Sequence, residues 1–281
     1  MKLLRYGPAG QEKPGLLDAS GNIHDLSGVI PDITGAAIGP DALAKLRALD
    51  PATLPPVSGS PRIGPCVGQV SKFVCVGLNY SDHAAETGQP IPSEPILFQK
   101  AISAINGPHD DVMLPKDSVK TDWEVELGIV IGARARYVEE AEAVKYIAGY
   151  CVVNDVSERE YQIERQGQWT KGKSADTFGP IGPWLVTADE MPDTSNLAMF
   201  CEVSGVRRQT GTTATMIFKV PFLVSYISRF MTLLPGDIIA TGTPPGVGLG
   251  MKPPMFLKAG DDMRLGVEGL GEQRQKVVAF R

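Results

Sequence analysis

The sequence predicts an α+β, β-rich fold in which a small N-terminal domain precedes a larger one. Short apolar segments bounded by turn residues recur along the chain, and segments with helical periodicity are fewer. The 281 residues include 31 glycines and 23 prolines, which favours many short strands over a doubly wound sheet. The chain shows no repeat of fixed period.

The N-terminal part alternates strands and turns. The stretches KLLRYG and GLLDASGNIHDLS predict short strands, with a turn at Ser20, Gly21 and Asn22. A short helix is expected in ALAKLRAL, and the proline-rich PATLPPVSGSPRIGP is typical of a linker. The predicted division is a small domain with linker over 1–65 and a catalytic domain over 66–281.

The second part carries most of the predicted strands. They lie in KFVCVGL, WEVELGIVIGA, AGYCVVND, LAMFCEVSG, GDIIATG and DMRLGVEGLG. Helices are predicted over residues 81–87, 139–147, 157–166 and 220–230. Ser157 followed by Glu160 forms a capping-box pattern, which predicts a polar helix that ends at Gly167.

Composition and charge narrow the class of protein. With 43% hydrophobic and 21% charged residues the chain is typical of a globular enzyme. A net charge of -5 argues against a nucleic-acid or anionic-membrane surface. No stretch has the length of a signal-peptide core or membrane span, so a cytoplasmic protein is expected. The scattered cysteines form no C-x-x-C and predict buried, reduced thiols rather than a zinc site: Cys66, Cys75, Cys151 and Cys201.

Residues 167–174, GQWTKGKS, fit the G-x-x-x-x-G-K-[ST] pattern of a phosphate-binding loop. Such a loop requires a buried strand before it and a helix after it. Here a polar segment precedes Gly167, and Pro180 and Pro183 follow, so nucleotide binding is not expected. Taken by itself, this stretch favours a solvated surface loop around Lys173.

Three acids follow or begin apolar strands. Glu124 and Glu126 in DWEVELGIVIG are two residues apart, so both point to one face of a strand. Asp155 ends the apolar segment GYCVVND. Neighbouring carboxylates next to apolar residues favour a compensating hard cation, Mg²⁺ or Mn²⁺, with Ca²⁺ as a further option. The alternative is that the two glutamates line the solvated face of an edge strand.

The stretch KFVCVGLNYSDHAAE predicts a strand, a turn and a helix capped by Asn79 or Ser81. On that helix His83 and Glu86 are three residues apart and share a face. A carboxylate that orients an imidazole produces a general base or acid. A surface contact between the two side chains is the alternative.

Together these segments resemble the fumarylacetoacetate hydrolase (FAH) family. The matching stretches are GLNYSDHAAE, EPILFQKAISAINGP, DWEVELGIVIG, VNDVSEREYQ, GKSADTFGPIGPW and LLPGDIIATGTPPGVG. They lie in the family's order between residues 73 and 248. Residues 1–65 resemble the variable N-terminal region of these proteins.

The resemblance implies a mixed β-roll, usually a homodimer, with Glu124, Glu126 and Asp155 as metal ligands. It implies that His83 and Glu86 activate a water molecule and that Lys173 contacts the substrate. Further side chains are expected to bind substrate: Gln162, Thr243 for the carboxylate, Tyr80 and Gln99.

Several positions depart from the commoner family pattern. Leu78 stands where many members carry arginine, and Gln99 and Ala101 lie in a stretch that often reads Lys-Pro. Because such positions face or neighbour the pocket in relatives, the substrate's identity stays open.

The reaction expected from the resemblance is hydrolysis of a carbon–carbon bond in a 2,4-dioxo acid, with release of pyruvate. The first choice of substrate is 2,4-diketo-3-deoxy-L-rhamnonate or the L-fuconate equivalent. Ureidoglycolate cleavage is the alternative, followed by isomerisation or decarboxylation of related oxo acids. A metal-stabilised scaffold without turnover is a hypothesis of another class, and the base and lysine argue against it.

Overall fold

A computed structural model of the chain describes residues 1–281 apart from the side chain of Thr87. It contains 32% strand and 21% helix, which agrees with the predicted α+β, β-rich class. The strands are β1 Lys2–Tyr6, β2 Lys13–Leu17, β3 Ile23–Asp25, β4 Phe73–Gly77, β5 Ile96–Lys100, β6 Ile105–Asn106, β7 Val112–Met113, β8 Thr121–Asp122, β9 Val125–Ile131, β10 Ile147–Asn154, β11 Ser157–Glu158, β12 Gly179–Thr187, β13 Ala198–Val203, β14 Val206–Thr212, β15 Ile238–Ala240, β16 Asp262–Val267 and β17 Gly271–Val278.

The α-helices are α1 Pro40–Arg47, α2 Ser81–Thr87, α3 Thr170–Lys173 and α4 Val220–Phe230. Helices predicted over 81–87 and 220–230 are confirmed. The segment predicted as a helix over 139–147 forms a 3₁₀ helix at Glu140–Tyr146. Shorter 3₁₀ turns lie at Gly35–Ala37, Pro51–Thr53, Ile102–Ala104, Ala188–Glu190, Thr213–Thr215 and Gly248–Gly250.

The prediction of a capped helix over 157–166 is wrong at its start. Ser157 pairs with Asp122 in the β8–β11 ladder, and its hydroxyl donates to the Asp155 carbonyl instead of capping a helix. A single π-helical turn follows at Glu160–Glu164. Tertiary strand pairing therefore overrides the local capping pattern.

In the described residues, a ten-stranded sheet has the order β3-β2-β1-β12-β10-β9-β15-β4-β5, with β6 beside β12. A five-stranded sheet has the order β14-β13-β16-β17-β7. Alternate residues of β9, such as Leu127 and Ile129, pack in one core with Met199 and Leu265 of the smaller sheet. The large sheet therefore packs one face on the small sheet, as the period-2 pattern of its strands requires.

The N-terminal segment adds strands to the large sheet. Leu3 of β1 lies opposite Leu185 of β12 in an antiparallel pair. Leu3 and Leu16 also belong to a core that includes Phe73 and Cys75 of β4. The predicted division at residue 65 thus falls between segments that share a sheet and a core.

The four cysteines are free thiols in buried positions, as the sequence predicts. Burial raises the pKa of the Cys75 thiol well above its usual range. In the described part of the chain, no helix combines the length and apolar character that crossing a membrane requires.

Candidate active site

Three carboxylates meet on one face of the large sheet because of the register between β9 and β10. Glu126 lies opposite Val153 in this antiparallel pair. Asp155 is two residues beyond Val153, so it projects on the same face, and its N–H donates to the Glu124 carbonyl at 2.9 Å. One ligand oxygen from each acid lies within 4.8 Å of the others, and all three residues are buried.

Two lysines and an arginine pair with these acids. Lys173 Nζ lies 2.7 Å from both Glu124 Oε2 and Asp155 Oδ2. Arg159 Nη2 lies 2.6 Å from Glu124 Oε1, and Lys100 Nζ donates to Asp155 Oδ1. Asp155 and Glu124 are therefore held between cations on both sides.

Glu124 and Glu126 have opposite electrostatic surroundings although they share one face of one strand. Burial works against ionisation of Glu124, but the charges of Lys173 and Arg159 hold its pKa at about 2. Burial raises the pKa of Glu126 well above its usual range, and the charges of Asp155 and Glu124 raise it further. Glu126 is therefore the member of the triad that lacks compensation.

The surroundings of Glu126 fit a bound cation. Its carboxylate accepts a hydrogen bond from the Gly242 N–H at 2.8 Å and, within the described residues, forms no ion pair. A buried carboxylate without a cation is costly, and a divalent ion beside the three acids would remove that cost. A donor set of carboxylate oxygens suits Mg²⁺, Mn²⁺ or Ca²⁺.

Lys173 ends the short helix α3 and is 2% exposed, so the expectation of a solvated loop is wrong. Gly172 permits this placement, because a Cβ there would lie 2.5 Å from both the Gln162 nitrogen and the Glu158 carbonyl oxygen. Burial opposes the charge of Lys173, but Asp155 and Glu124 raise its pKa to about 12. The lysine is thus a fixed positive charge beside the acids.

The phosphate-loop pattern of residues 167–174 is excluded by its flanking elements. The π-helical turn Glu160–Glu164 precedes it, and strand β12 follows where a phosphate-binding loop requires a helix. The structure agrees with the interpretation drawn from the flanking sequence.

The predicted base and its partner lie together on α2. His83 Nδ1 is 3.1 Å from Glu86 Oε2, and the Gly246 N–H donates to Glu86 Oε1 at 3.0 Å. His83 is 8% exposed and lines the cavity described below. This arrangement places Nδ1 against the carboxylate, which can orient the imidazole and set its tautomer.

The predicted cap of α2 is not formed. Tyr80 is the N-cap residue and makes no side-chain cap hydrogen bond. The Asn79 amide instead donates to the carbonyls of Phe218 and Thr241, and its oxygen accepts from the Phe218 N–H. Asn79 therefore joins the end of β4 to the segments before α4 and after β15.

Three charged groups of the site were missed from the sequence, namely Lys100 beside Asp155, and Arg159 with its partner Asp122. Arg159 pairs with Glu124 and with buried Asp122, which also accepts from the Gly248 N–H at 2.7 Å and the Leu249 N–H at 3.0 Å. The signal was present, since Asp122 begins DWEVELGIVIG and Arg159 lies in VSEREYQ. No feature of the sequence around Asp122 or Arg159 indicated that both side chains would be buried.

A cavity of about 280 Å³ lies beside the acids. Its charged and polar lining includes Glu124, Glu126, Arg159, Lys173, His83 and Gln89. The apolar lining is formed by Val76, Leu78, Phe98, Ile163, Trp169, Val247 and Leu249. The volume is near the lower end of the roughly 300–1,000 Å³ usual for ligand sites, which suits a small molecule.

The predicted substrate-binding residues divide into two pairs. Gln162 and Thr243 line the cavity, although the Thr243 hydroxyl donates to the Val125 carbonyl. Tyr80 and Gln99 lie elsewhere. Tyr80 is fully buried with its hydroxyl on Met199 Sδ, and Gln99 is exposed because it points away from its strand neighbour Phe98.

Comparison with known proteins identifies the class. Residues 72–278 match the family model described as Fumarylacetoacetate (FAA) hydrolase C-terminal. A protein of Burkholderia cenocepacia (strain HI2424) named "Putative hydrolase" is 65% identical over 277 residues, which cover 98% of each chain. The chain therefore belongs to the fumarylacetoacetate hydrolase family.

Solved structures share the fold over the whole chain. The 5-carboxymethyl-2-hydroxymuconate delta-isomerase of Mycobacterium smegmatis is 33% identical with a TM-score of 0.77. The maleylpyruvate hydrolase of Sphingobium sp. SYK-6, in complex with manganese(II) ion and pyruvate, is 28% identical with a TM-score of 0.83. Each match covers 100% of both chains. The neighbours thus include both hydrolases and isomerases.

Proposed function

We propose that this chain is a divalent-metal-dependent hydrolase that cleaves a carbon–carbon bond of a 2,4-dioxo acid and releases pyruvate. The observation that carries the proposal is the meeting of three groups in one small cavity. These groups are Glu124 and Glu126 with their triad partner Asp155 behind them, the buried charge of Lys173, and His83 with its partner Glu86. The manganese and pyruvate in the maleylpyruvate hydrolase complex support it.

The acids Glu124, Glu126 and Asp155 would hold Mg²⁺ or Mn²⁺, with Ca²⁺ as a further option. When bound, such an ion supplies Lewis-acid polarisation of substrate oxygens and a template for the dioxo acid.

The chain's own residues supply the proton transfer and part of the charge stabilisation. His83, oriented by Glu86, takes a proton from water as the water oxygen bonds to C4 of the substrate. Lys173 stabilises the negative charge that develops at the C4 oxygen. The C3–C4 bond then breaks with its electron pair on C3, and a proton from the His83 imidazolium completes the methyl group of pyruvate.

The proposed substrate is 2,4-diketo-3-deoxy-L-rhamnonate or the L-fuconate equivalent. A second candidate is isomerisation of an unsaturated oxo acid, which the likeness to the Mycobacterium smegmatis isomerase favours. Both reactions use a stabilised carbanion beside a 2-oxo acid, so the same cavity residues would serve either.

The test uses metal-stripped protein with and without Mg²⁺ or Mn²⁺. A series of 2,4-dioxo acids and ureidoglycolate is offered, with pyruvate and glyoxylate measured separately. Metal-dependent pyruvate release is the expected result. Glyoxylate alone would establish ureidoglycolate cleavage instead, and a shift in ultraviolet absorbance of an unsaturated oxo acid without pyruvate would favour the isomerase.

A further inference from the structure

One side of the cavity is an aromatic wall that begins at Lys173. The Lys173 ammonium lies 5.1 Å from the centroid of the Phe98 ring. Phe98 in turn meets Trp169 edge to face, with ring centroids 5.3 Å apart. The wall therefore leads from the charged end of the cavity into an apolar region.

The end of β4 closes this apolar region against Trp169. A Cβ on Gly77 would lie 2.3 Å from Trp169 Cζ3, so glycine is required for the indole to approach the strand. The next residue, Leu78, lines the cavity with a φ of 50°, in the left-handed region that leucine rarely adopts. Its neighbour Asn79 is fixed by hydrogen bonds to Phe218 and Thr241.

Backbone strain of this kind persists where the surrounding structure enforces it, and it is concentrated at functional sites. Here the strained residue is Leu78, which lines the same cavity as Trp169. Leu249 and Val247 add further apolar surface to the lining.

The cations of the cavity are already paired. Among the described residues that line it, the lysine and arginine side chains are Lys173 and Arg159. Lys173 contacts Glu124 and Asp155, and Arg159 contacts Glu124 and Asp122. A second carboxylate on the substrate would therefore find no unpaired lysine or arginine in the lining, where the remaining polar side chains include the neutral Gln89 and Gln162. Desolvation opposes burial of a carboxylate without a cation.

We propose that the substrate's tail, the part beyond C4, is short, uncharged and apolar at its end, and that Leu78 selects against a tail carboxylate. This inference rests on the proposed function, since it concerns the other end of the same dioxo acid. It defines the substrate class as monocarboxylic dioxo acids with a small tail. Acids that end in a methyl group fit it, including the deoxy acids derived from rhamnonate and fuconate.

The first experiment compares two substrates of one chain length on the metal-loaded enzyme: 2,4-dioxoheptanoate and 2,4-dioxoheptanedioate. The expected kcat/KM for the methyl-ended acid is higher by about 100-fold, because the diacid buries an unpaired charge. Equal values, or a preference for the diacid, would overturn the inference.

Variants at Leu78 give the decisive contrast. Leu78→Arg introduces a cation at the apolar end and is expected to reduce or reverse the preference. Leu78→Gln introduces a side chain of similar length without charge. It should lower kcat/KM for both substrates while the preference for the methyl-ended acid stays. Ile163→Arg is the matched control, because it places the same charge at a cavity residue that is 49% exposed. A loss of preference in this control equal to that in Leu78→Arg would remove the role assigned to Leu78.

A binding measurement separates this inference from the proposed function. Calorimetry on Mn²⁺-loaded protein compares 2-oxohexanoate with 2-oxohexanedioate, neither of which carries the bond to be cleaved. If the monoacid binds more tightly but no dioxo acid releases pyruvate, the proposed function is wrong and the inference is supported. Pyruvate release together with equal binding of both acids would support the proposed function and overturn the inference. Because this ranking needs only the wild-type chain, it decides the question even if a variant fails to fold.

Discussion

Glu124 and Glu126 of the acidic triad line the same cavity as His83 of the His83–Glu86 pair, but the triad and the pair are held in different ways. Glu126 lies in β9, Glu124 lies just before β9 and Asp155 just after β10, and each acid is at most 6% exposed. The pair lies on one short helix, with the Glu86 side chain 25% exposed and in contact with the Gly246 N–H. The difference shows that sheet register fixes the acidic triad, whereas one helical turn and one loop contact fix the His83–Glu86 pair.

This comparison predicts that substitutions in the pair change turnover, and that substitutions in the triad change folding or metal binding. The largest expected effect is on catalysis. His83→Ala should lower kcat by about 10²–10⁴-fold, because the proton acceptor is removed. The affinity for Mn²⁺, measured by calorimetry, should stay within a few-fold of wild type.

The control for that variant is His109→Ala, an exposed histidine outside the cavity, which should keep full turnover. A fall in Mn²⁺ affinity as large as the fall in kcat would show that His83 is a ligand.

The next effect is on stability and concerns Glu124. Glu124→Gln leaves Lys173 and Arg159 each without one of their buried acids, and breaking such a pair costs roughly 3–5 kcal/mol. Urea denaturation of the metal-stripped protein measures this loss. A cost below about 1 kcal/mol, typical of exposed ion pairs, would contradict the role given to the buried charges.

Glu126→Gln makes the same chemical change two residues away and should have the opposite result. Metal-stripped protein should be as stable as wild type or more so, because the amide keeps an acceptor for Gly242 and removes a like charge. Wild type should gain about 2.7 kcal/mol when Mn²⁺ is present at about 100 times its Kd. The variant should gain far less, and an equal gain would exclude Glu126 as a ligand.

The smallest effect on folding is expected for Glu86→Gln. A partly exposed pair contributes about 0.2–1 kcal/mol, and the amide oxygen can still accept from Gly246. Turnover should fall nonetheless, because a neutral amide does not support an imidazolium. Stability from thermal melts and kcat from pyruvate release separate the two effects, and parallel losses in both would show that the pair is mainly structural.

Much of the site could be predicted from the sequence because strand geometry is local. The period-2 spacing of Glu124 and Glu126 gives their shared face, and an apolar strand that ends in Asp155 supplies the third acid. The family resemblance added Lys173, which spacing alone had placed in a solvated loop. Its burial depends on Gly172 packing against the turn around Gln162, a contact that no local pattern encodes.

Other features depend on the three-dimensional pairing of distant segments. The capping-box pattern at Ser157 failed because this residue pairs with Asp122, 35 positions earlier in the chain. Tyr80 and Gln99 were expected at the substrate, yet strand alternation and the core place them outside the cavity. Buried pairs such as Lys100 with Asp155 appear only when β5 and β10 lie in one sheet.

Asp122 gives the two halves of the site a common support. It forms an ion pair with Arg159, which in turn forms an ion pair with Glu124. It also accepts hydrogen bonds from the N–H groups of Gly248 and Leu249. The same glycine-rich loop carries the N–H that reaches Glu86. A chain of hydrogen bonds and covalent bonds therefore links Glu124 of the acidic triad to Glu86 of the His83–Glu86 pair.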